Sequence, residues 1–171
     1  MLFGTLTKSD DGIYVPITKD DSKRLFIKRQ MIFSRGSDDT LALVEPESDD
    51  SFFTEFNDKI IEAAKEHRQD WWGKSVHDST IEKAFYSSYN FDTHSLEVST
   101  FEKTKMFNFS REEIDLYGFT GDTLCNVVLE PKCIRFYKRH FEVDWKLVQL
   151  MALPPPKPTL EEYPEHCMFE D

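Results

Sequence analysis

A cluster of cations and aromatic rings around position 135 is the segment of this sequence best suited to holding a charged ligand. Residues 132–140 contain four Lys or Arg side chains, two aromatic rings and no acid. On a β-strand, Arg135, Tyr137 and Arg139 would share one face, and the apolar residues between them would face the other way. Cations can follow phosphates and a ring can stack on any base, so such a face is typical of single-strand binding. The nucleic-acid contacts predicted here are Lys132, Arg135, Tyr137, Lys138 and Arg139.

A second basic segment lies near the N-terminus, where residues 22–37 contain five Lys or Arg side chains and no acid. The predicted strand Lys23–Ser34 alternates with a period of two, so Met31 and Phe33 face the core and the basic side faces away. The alternative interpretation of both basic segments is a pair of edge strands with ordinary solvated charges. The contacts predicted in this second segment are Arg24, Phe26 and Lys28.

Two adjacent tryptophans, Trp71 and Trp72, stand beside Gly73-Lys74 at the predicted end of a helix. Stacking on an aromatic ring contributes about 1–3 kcal/mol per base in strand-binding proteins. One of the two rings also fits the apolar stripe of the helix and so belongs to the core. We therefore add Trp72 and Lys74 to the predicted nucleic-acid surface.

The sequence offers little that favours catalysis. It contains no Walker loop, GxGxxG, GxSxG or HExxH motif. Its three cysteines, Cys125, Cys133 and Cys167, are odd in number and lack CxxC spacing. This pattern favours free thiols in a reducing compartment over a disulfide framework or a zinc site. We predict a protein that is not an enzyme, with no catalytic residue, no metal and no cofactor.

The hydrophobic pattern predicts a mainly β chain with a helical insertion. Strands are expected at Leu2–Thr7, Ile13–Ile17, Lys23–Ser34, Leu41–Glu45, Ser95–Phe101, Met106–Phe109, Leu124–Glu130, Cys133–Tyr137 and Val143–Leu153. Two helices are expected, one over residues 51–70 and one that begins at a capping box of Ser79 and Glu82 and ends near Asn90. These elements predict the α+β class: an OB-like β-barrel of five strands with extra N-terminal strands and a two-helix insertion at 51–90.

The C-terminal segment differs in composition from the rest. Residues 154–158, Pro-Pro-Pro-Lys-Pro, cannot continue a β-ladder because proline lacks the N–H, so the domain should end at residue 153. Five acids and one base give residues 154–171 a net charge of −4. We predict a Pro-rich linker and a disordered acidic tail that docks other proteins. Its predicted contact residues are Glu161, Glu162, Tyr163, Glu165, Phe169, Glu170 and Asp171.

The length, composition and charge of the chain limit what kind of protein it can be. A chain of 171 residues with 39% hydrophobic residues can form one domain with a substantial core. A net charge of −11 argues against binding of nucleic acid when the whole chain is considered. The acids, however, concentrate at 38–50, 55–70 and 161–171, outside the two basic segments, so these segments can still bind phosphates. No apolar run approaches the roughly 20 residues of a membrane helix, and the N-terminus lacks a signal-peptide pattern. We expect an intracellular protein with no membrane partner.

Parts of the chain resemble a known group of viral proteins. The motif Trp71-Trp72-Gly73-Lys74, the apolar residues Ile81 and Phe85, and the segment 133–150 are similar to OB-fold single-stranded DNA-binding-like proteins of large eukaryotic DNA viruses. The order of strands, helices, closing strands and acidic tail is also similar in layout to the single-stranded DNA-binding protein of short-tailed phages. The resemblance implies coating of exposed strands during viral DNA replication and recombination, in the nucleus or at a cytoplasmic replication site of an infected cell. The partners it implies are replication proteins: polymerase, helicase or primase.

Residues and resemblance together predict a single-stranded DNA-binding protein, with the choice between monomer and homodimer left open. The chief alternative is a viral structural or scaffolding protein that uses the OB-like fold for protein contacts and directs its negative charge at basic partners. A third interpretation is a nuclease or nucleotide hydrolase that uses dispersed carboxylates. Retardation of a labelled oligo-dT at low salt would separate the first interpretation from the other two.

Overall fold

The computed structural model describes residues 1–20, 23–35, 40–119, 121–155 and 169, with the side chains of Arg35 and Tyr117 left aside. Within these ranges the chain is mainly β with few helices, as predicted. Its strands are β1 (Leu2–Phe3), β2 (Thr7–Ser9), β3 (Gly12–Thr18), β4 (Ile27–Arg35), β5 (Thr40–Val44), β6 (Phe85–Tyr86), β7 (Tyr89–Asn90), β8 (Ser95–Ser99), β9 (Lys105–Phe107), β10 (Glu113–Ile114), β11 (Thr123–Phe136) and β12 (Phe141–Ala152). Its helices are α1 (Ser51–Glu66), α2 (Arg68–Trp72), α3 (Asp78–Ala84) and a 3₁₀ turn (Leu116–Gly118).

Five strands close into a ring in the order β11, β4, β5, β8 and β12, with β12 pairing back to β11. The β8–β12 seam is the shortest pairing of the ring, a parallel bridge between Lys146 and Ser99. Lys146 Nζ also donates to Ser99 Oγ at 2.9 Å, which reinforces this seam. The predicted N-terminal additions are confirmed, since β1 and β2 both pair with β3 outside the ring.

The long hairpin of β11 and β12 organises the sheet. On one edge of β11, residues 123–129 pair with β4 and residues 133–136 pair with β3. The prediction of two separate strands here is wrong, because Pro131 lies inside a single strand. Its missing N–H costs no ladder bond on that edge, since neither β4 nor β3 pairs with residue 131. A register shift toward β12 between Pro131 and Cys133 makes Lys132 the bulged residue.

The core lies inside the ring and beneath α1. Met31 and Phe33 are buried on β4, as the period of two predicts. Helix α1 packs Phe56 against the Trp145 ring of β12, with centroids 4.7 Å apart. Phe53 of the same helix stacks on Tyr89 at 4.3 Å. Burial of these rings fixes the helical insertion on the strand ring.

The start of α1 is fastened to the β7–β8 hairpin through Asp50. Tyr89 Oη donates to the Asp50 carboxylate, and His94 Nδ1 lies 2.8 Å from the same oxygen. These hydrogen bonds hold the pKa of Asp50 below its usual value. Burial, followed by the contact with Asp50, raises the pKa of Tyr89, so the phenol stays protonated and remains a donor.

Several predicted boundaries differ from the structure. The helix predicted over 51–70 is two helices, α1 and α2. The second predicted helix ends at Ala84 instead of near Asn90, because the next two residues pair in parallel with β12 as β6. The predicted capping box of Ser79 and Glu82 is wrong, because His77 caps this helix and accepts from the N–H of Ser79 at 3.2 Å. The strand predicted from Lys23 begins at Ile27, and the one predicted over Leu2–Thr7 is broken between β1 and β2.

Two further expectations concern thiols and membranes. Cys125 and Cys133 are free and buried, and burial raises the pKa of each thiol to about 11. Cys167 lies outside the described residues. In the part of the chain that the structure describes, no helix has the length and apolar character needed to cross a bilayer.

Candidate nucleic-acid interface

The outer surface of β4, β11, β12 and β9 forms a groove of about 640 Å³, which we call the cationic groove. It lies on the side of these strands that faces away from the core, because inward-facing neighbours such as Met31, Cys125 and Leu150 are buried. The side chains that define the groove are Lys28, Gln30, Phe107, Arg111, Asn126, Val128, Gln149 and Met151.

Strand register arranges the groove floor in two rows across four strands. One row runs Lys28, Val128, Gln149, Lys105. The other runs Gln30, Asn126, Met151, Phe107. Neighbouring strands lie about 4.8 Å apart, so each row spans about 14 Å. A cation therefore stands at each end of the first row, with an amide and an aliphatic side chain between them.

The third cation, Arg111, comes from the turn between β9 and β10. The Asn108 side chain braces this turn, since its Oδ1 accepts from the N–H of Ser110 at 2.9 Å and of Glu112 at 3.0 Å. Arg111 itself adopts φ of 63°, a left-handed conformation that a non-glycine residue adopts at some cost. The braced turn holds the Arg111 side chain at the groove wall.

Two cations that line the groove, Lys28 and Arg111, and Lys105, which strand register places beside it, are available to a ligand. Among the described residues, Lys28, Lys105 and Arg111 form no ion pair. The neighbouring Arg29 points to the inner side of β4, where it pairs with the buried Glu45 at 2.8 Å. Burial raises the pKa of Glu45, and the Arg29 guanidinium opposes this shift. On the same strand, Lys28 thus faces the groove, whereas Arg29 neutralises a buried carboxylate.

Two predicted contacts are occupied within the protein. Arg24 pairs with the buried Glu130 at 3.3 Å, although its own side chain is 64% exposed. Arg135 donates to Asp144 at 3.1 Å and to the carbonyl of Asp11 at 3.3 Å. Arg135 therefore balances a carboxylate on the outer face of β12, and its role toward DNA stays a prediction.

The remaining cations and rings predicted near residue 135 lie at the tip of the β11–β12 hairpin. Strand β11 ends at Phe136, so Tyr137 and Arg139 lie in a turn instead of sharing a strand face with Arg135. The Tyr137 ring is half-exposed and stacks on His140, with centroids 4.6 Å apart. Lys138 and Arg139 are exposed. We call Tyr137, Lys138, Arg139 and His140 the tip cluster.

The other predicted contacts are spread over the surface. Phe26 is 49% exposed just before β4, and Lys132 is exposed at the β11 bulge. Trp71 is the core tryptophan, as expected, at 6% exposure. Trp72 is partly buried, with its ring 5.5 Å from Phe136.

Three further placements complete the predicted set. Lys74 is exposed beyond α2. The predicted tail contacts lie outside the described residues except Phe169, whose side chain is 88% exposed. Of the residues in and beside the cationic groove, sequence reasoning identified Lys28 as a contact, but it missed Lys105, Phe107 and Arg111. The available signal was the alternation of Lys105 and Phe107, but the strand was predicted over Met106–Phe109, whereas β9 spans Lys105–Phe107, so Lys105 fell outside the prediction.

The arrangement can hold a polyanion with planar groups, and the described residues offer no evident metal centre. No cluster of His, Cys, Asp and Glu among them could hold a metal ion. The buried carboxylates Glu45 and Glu130 are each paired with an arginine. Three cations, three amides and one ring around an open groove suit phosphates and bases.

Comparison with solved structures gives a likeness in fold to a phage protein. The single-stranded DNA-binding protein from bacteriophage Enc34 has a TM-score of 0.52 at 14% identity, with 94% of each chain covered. Its complex with single-stranded DNA has a TM-score of 0.50 at 14% identity, covering 92% of this chain and 98% of that one. Its C-terminal truncation has a TM-score of 0.52 at 13% identity, covering 91% and 97%. The predicted similarity to a phage single-stranded DNA-binding protein is confirmed for the fold.

Sequence comparison gives the family. No curated protein matches the sequence. The model of a family of unknown function (DUF5871) matches residues 32–171. Because this match covers most of the chain, the protein belongs to the DUF5871 family.

Proposed function

We propose that this protein binds single-stranded DNA in the cationic groove and catalyses no reaction. The observation that carries the proposal is the set of three cations, Lys28, Lys105 and Arg111, that have no ion-pair partner among the described residues and surround a floor of amides and a ring. The fold that presents them is similar to that of a phage protein whose structure includes bound single-stranded DNA. That likeness supports single-stranded DNA as the ligand, and the cations, amides and ring of the groove are the groups that would contact it.

Each part of the groove has a distinct role in this proposal. The three cations contact phosphates and make binding dependent on salt. The Phe107 ring stacks on a base, and the amides of Gln30, Asn126 and Gln149 accept or donate hydrogen bonds at base edges. Stacking is tolerant of base identity, so the expected binding has little sequence preference.

The net charge of −11 is compatible with this role because of where the acids stand. Glu130 and Asp144, the carboxylates on the outer face of the β11–β12 hairpin nearest the groove, are paired with Arg24, Arg135 and Lys146. An anionic strand thus meets net positive charge in the groove and net negative charge over much of the remaining surface. This contrast favours one binding path over diffuse adsorption.

The decisive experiment is titration of the purified protein with a fluorescently labelled oligo-dT, measured by anisotropy at several salt concentrations. Three phosphate contacts predict a slope of log K against log salt of about −2, since each contact on a single strand contributes about −0.7. Absence of binding at low salt, or binding that ignores salt, would contradict the proposal. Metal-dependent cleavage of the oligonucleotide would instead support an enzyme, and absence of both would favour a structural or scaffolding role.

The tail carries a second part of the proposal. Residues 154–171 would recruit replication proteins through their acids and aromatic rings during viral DNA replication in an infected cell. Deletion of residues 157–171 should abolish capture of the cognate polymerase, helicase or primase while the protein still binds oligo-dT. Retained capture would contradict the recruiting role.

A further inference from the structure

A second depression lies beside the cationic groove, and the two share the same strands. This depression, of about 490 Å³, begins where the groove ends. Leu124 lines it two residues before Asn126 on β11, and Leu153 lines it just past the end of β12, two residues after Met151. Two residues of a strand span about 7 Å. We call it the end pocket, and its chief side chains are Phe109, Phe119, Asp122, Leu124, Leu153 and Pro154.

The braced turn between β9 and β10 separates the two depressions. Arg111 lines the cationic groove and Phe109 lines the end pocket, so one turn presents a cation to one side and a ring to the other. Phe109 is 58% exposed, an unusual position for a large ring in a turn whose backbone is held by the Asn108 side chain. Fixing the backbone that carries an exposed ring removes part of the entropy cost of stacking a ligand on it.

The end pocket differs from the groove in charge and polarity. Its walls are largely apolar, with Leu124 38% exposed and Phe119 packed on Phe33 at 5.4 Å. The charged side chain it contains is Asp122, which would repel a phosphate. The chemistry that fits is an uncharged planar ring with hydrogen-bonding edges, which describes a nucleobase. A pocket of this size lies within the range that holds small molecules.

We propose that one nucleotide of the bound strand is divided between the two depressions: its phosphate contacts Arg111 in the groove, and its base leaves the stack, lies against Phe109 and enters the end pocket. This inference rests on the proposed function, and it adds a base-binding subsite to the phosphate-binding groove. Since stacking recognises the face of a ring, the subsite requires an unpaired base and so discriminates against duplex.

The test compares two ligands of equal charge: an oligo-dT of about eight nucleotides, within the site sizes of OB folds, and a phosphodiester of the same length built entirely from abasic residues. Phe109→Ala should weaken binding of oligo-dT by about fivefold to 150-fold, the range for loss of one stacked base. It should leave binding of the abasic strand unchanged, because that strand has no base to lose. Phe91→Ala, a control at a ring 40% exposed near the β7–β8 hairpin, should change neither.

The variant Lys28→Ala tests the groove separately from the subsite. It should weaken both ligands alike, since it removes a phosphate contact. Suppose that Lys28→Ala weakens binding of both ligands, while Phe109→Ala either leaves both affinities unchanged or lowers both by the same factor. The groove is then supported and the subsite is overturned. If oligo-dT and the abasic strand both fail to bind the wild-type protein, the proposed function itself fails.

A ring-preserving variant gives an independent readout. Phe109→Trp should bind oligo-dT nearly as well as the wild type, and its added indole fluorescence should be quenched on binding. The abasic strand should leave that fluorescence unchanged. Quenching of equal size by both ligands would overturn the subsite.

Discussion

The outer face of the β11–β12 hairpin has two halves that use their cations differently. In the groove half, next to β4 and β9, Lys28, Lys105 and Arg111 face solvent with no acid paired to them among the described residues. In the tip half, next to β3 and β6, Arg135 and Lys146 share the carboxylate of Asp144 at 3.1 and 3.4 Å. Both halves contain cations, yet among the described residues only the groove half has unpaired cations within the groove itself; in the tip half the unpaired cations, Lys132, Lys138 and Arg139, lie at the bulge and in the turn. Counting cations therefore does not locate an anion site; the positions of the acids on the neighbouring strand decide it.

The largest expected effect is in the groove half. The triple variant Lys28→Ala, Lys105→Ala, Arg111→Ala should bind oligo-dT about 100-fold more weakly at about 0.1 M salt. Each lost phosphate contact removes about 0.7 from the slope of log K against log salt, so at this salt concentration each lowers log K by about 0.7. Its salt slope should fall nearly to zero. A matched triple at exposed lysines elsewhere (Lys8, Lys19 and Lys83) changes the net charge equally and should retain most of the affinity. Equal losses in both triples would mean that total charge, and not the groove, controls binding.

The tip cluster provides the next test. It lies about 30–35 Å along β11 from the middle of the groove, so only a longer oligonucleotide can reach both. Lys138→Ala with Arg139→Ala should leave an oligo-dT of about eight nucleotides unaffected and weaken one of about 20 nucleotides by up to about 25-fold at about 0.1 M salt. An equal loss with the short strand would place the tip cluster inside the primary site.

Arg135 should matter for stability more than for DNA. Arg135→Ala leaves the largely buried Asp144 with Lys146 alone and removes a donor from the Asp11 carbonyl. The free energy of unfolding should fall by about 1–3 kcal/mol, measured by urea denaturation, while the salt slope for oligo-dT stays at the wild-type value. Lys132→Ala, a neighbouring exposed cation without an ion pair among the described residues, should change stability by less than about 0.5 kcal/mol. A shallower salt slope in Arg135→Ala would return this residue to the DNA contacts.

The smallest effect concerns the ring beneath Arg135. The guanidinium lies over Tyr14 at 6.0 Å from the ring centroid. Tyr14→Leu keeps apolar bulk but removes the aromatic face, so it should cost about 0.5–1 kcal/mol. In the Arg135→Ala background the same change should cost less, which a double-mutant cycle by urea denaturation detects. Equal costs in both backgrounds would show that Tyr14 stabilises β3 by packing alone.

The fold was predictable where one local pattern decides the outcome. The period of two on β4 places Met31 and Phe33 inside and Lys28 outside, as observed. Prediction from the local pattern failed where pairing with a distant segment determines the structure. Pro131 suggested a strand end, but β11 passes through it because its partner on that edge changes there. The second helix ends early because Phe85 pairs with β12, a contact that propensity does not encode.

The candidate site was predictable only in part, for the same reason. Lys28 was found because its own segment is basic. Lys105, Phe107 and Arg111 were missed because their segment is ordinary in composition and becomes part of the site through parallel pairing of β9 with β12. The period of two says which face a side chain occupies, and it is silent about which strand lies alongside. The basic segment at 132–140 drew attention because its balancing carboxylate, Asp144, comes later in the chain.

Strand β12 also determines when the fold can be completed during synthesis. It pairs with β11, β6, β8 and β9, and three of these partners come from segments much earlier in the chain. Such long-range pairings close large loops and slow folding. Until Phe141–Ala152 has left the ribosome, the edges of β6, β8 and β9 that will join it carry unpaired N–H and C=O groups, which are templates for pairing with other chains. A nascent chain stalled just before β12 should therefore be the form of this protein most dependent on chaperones.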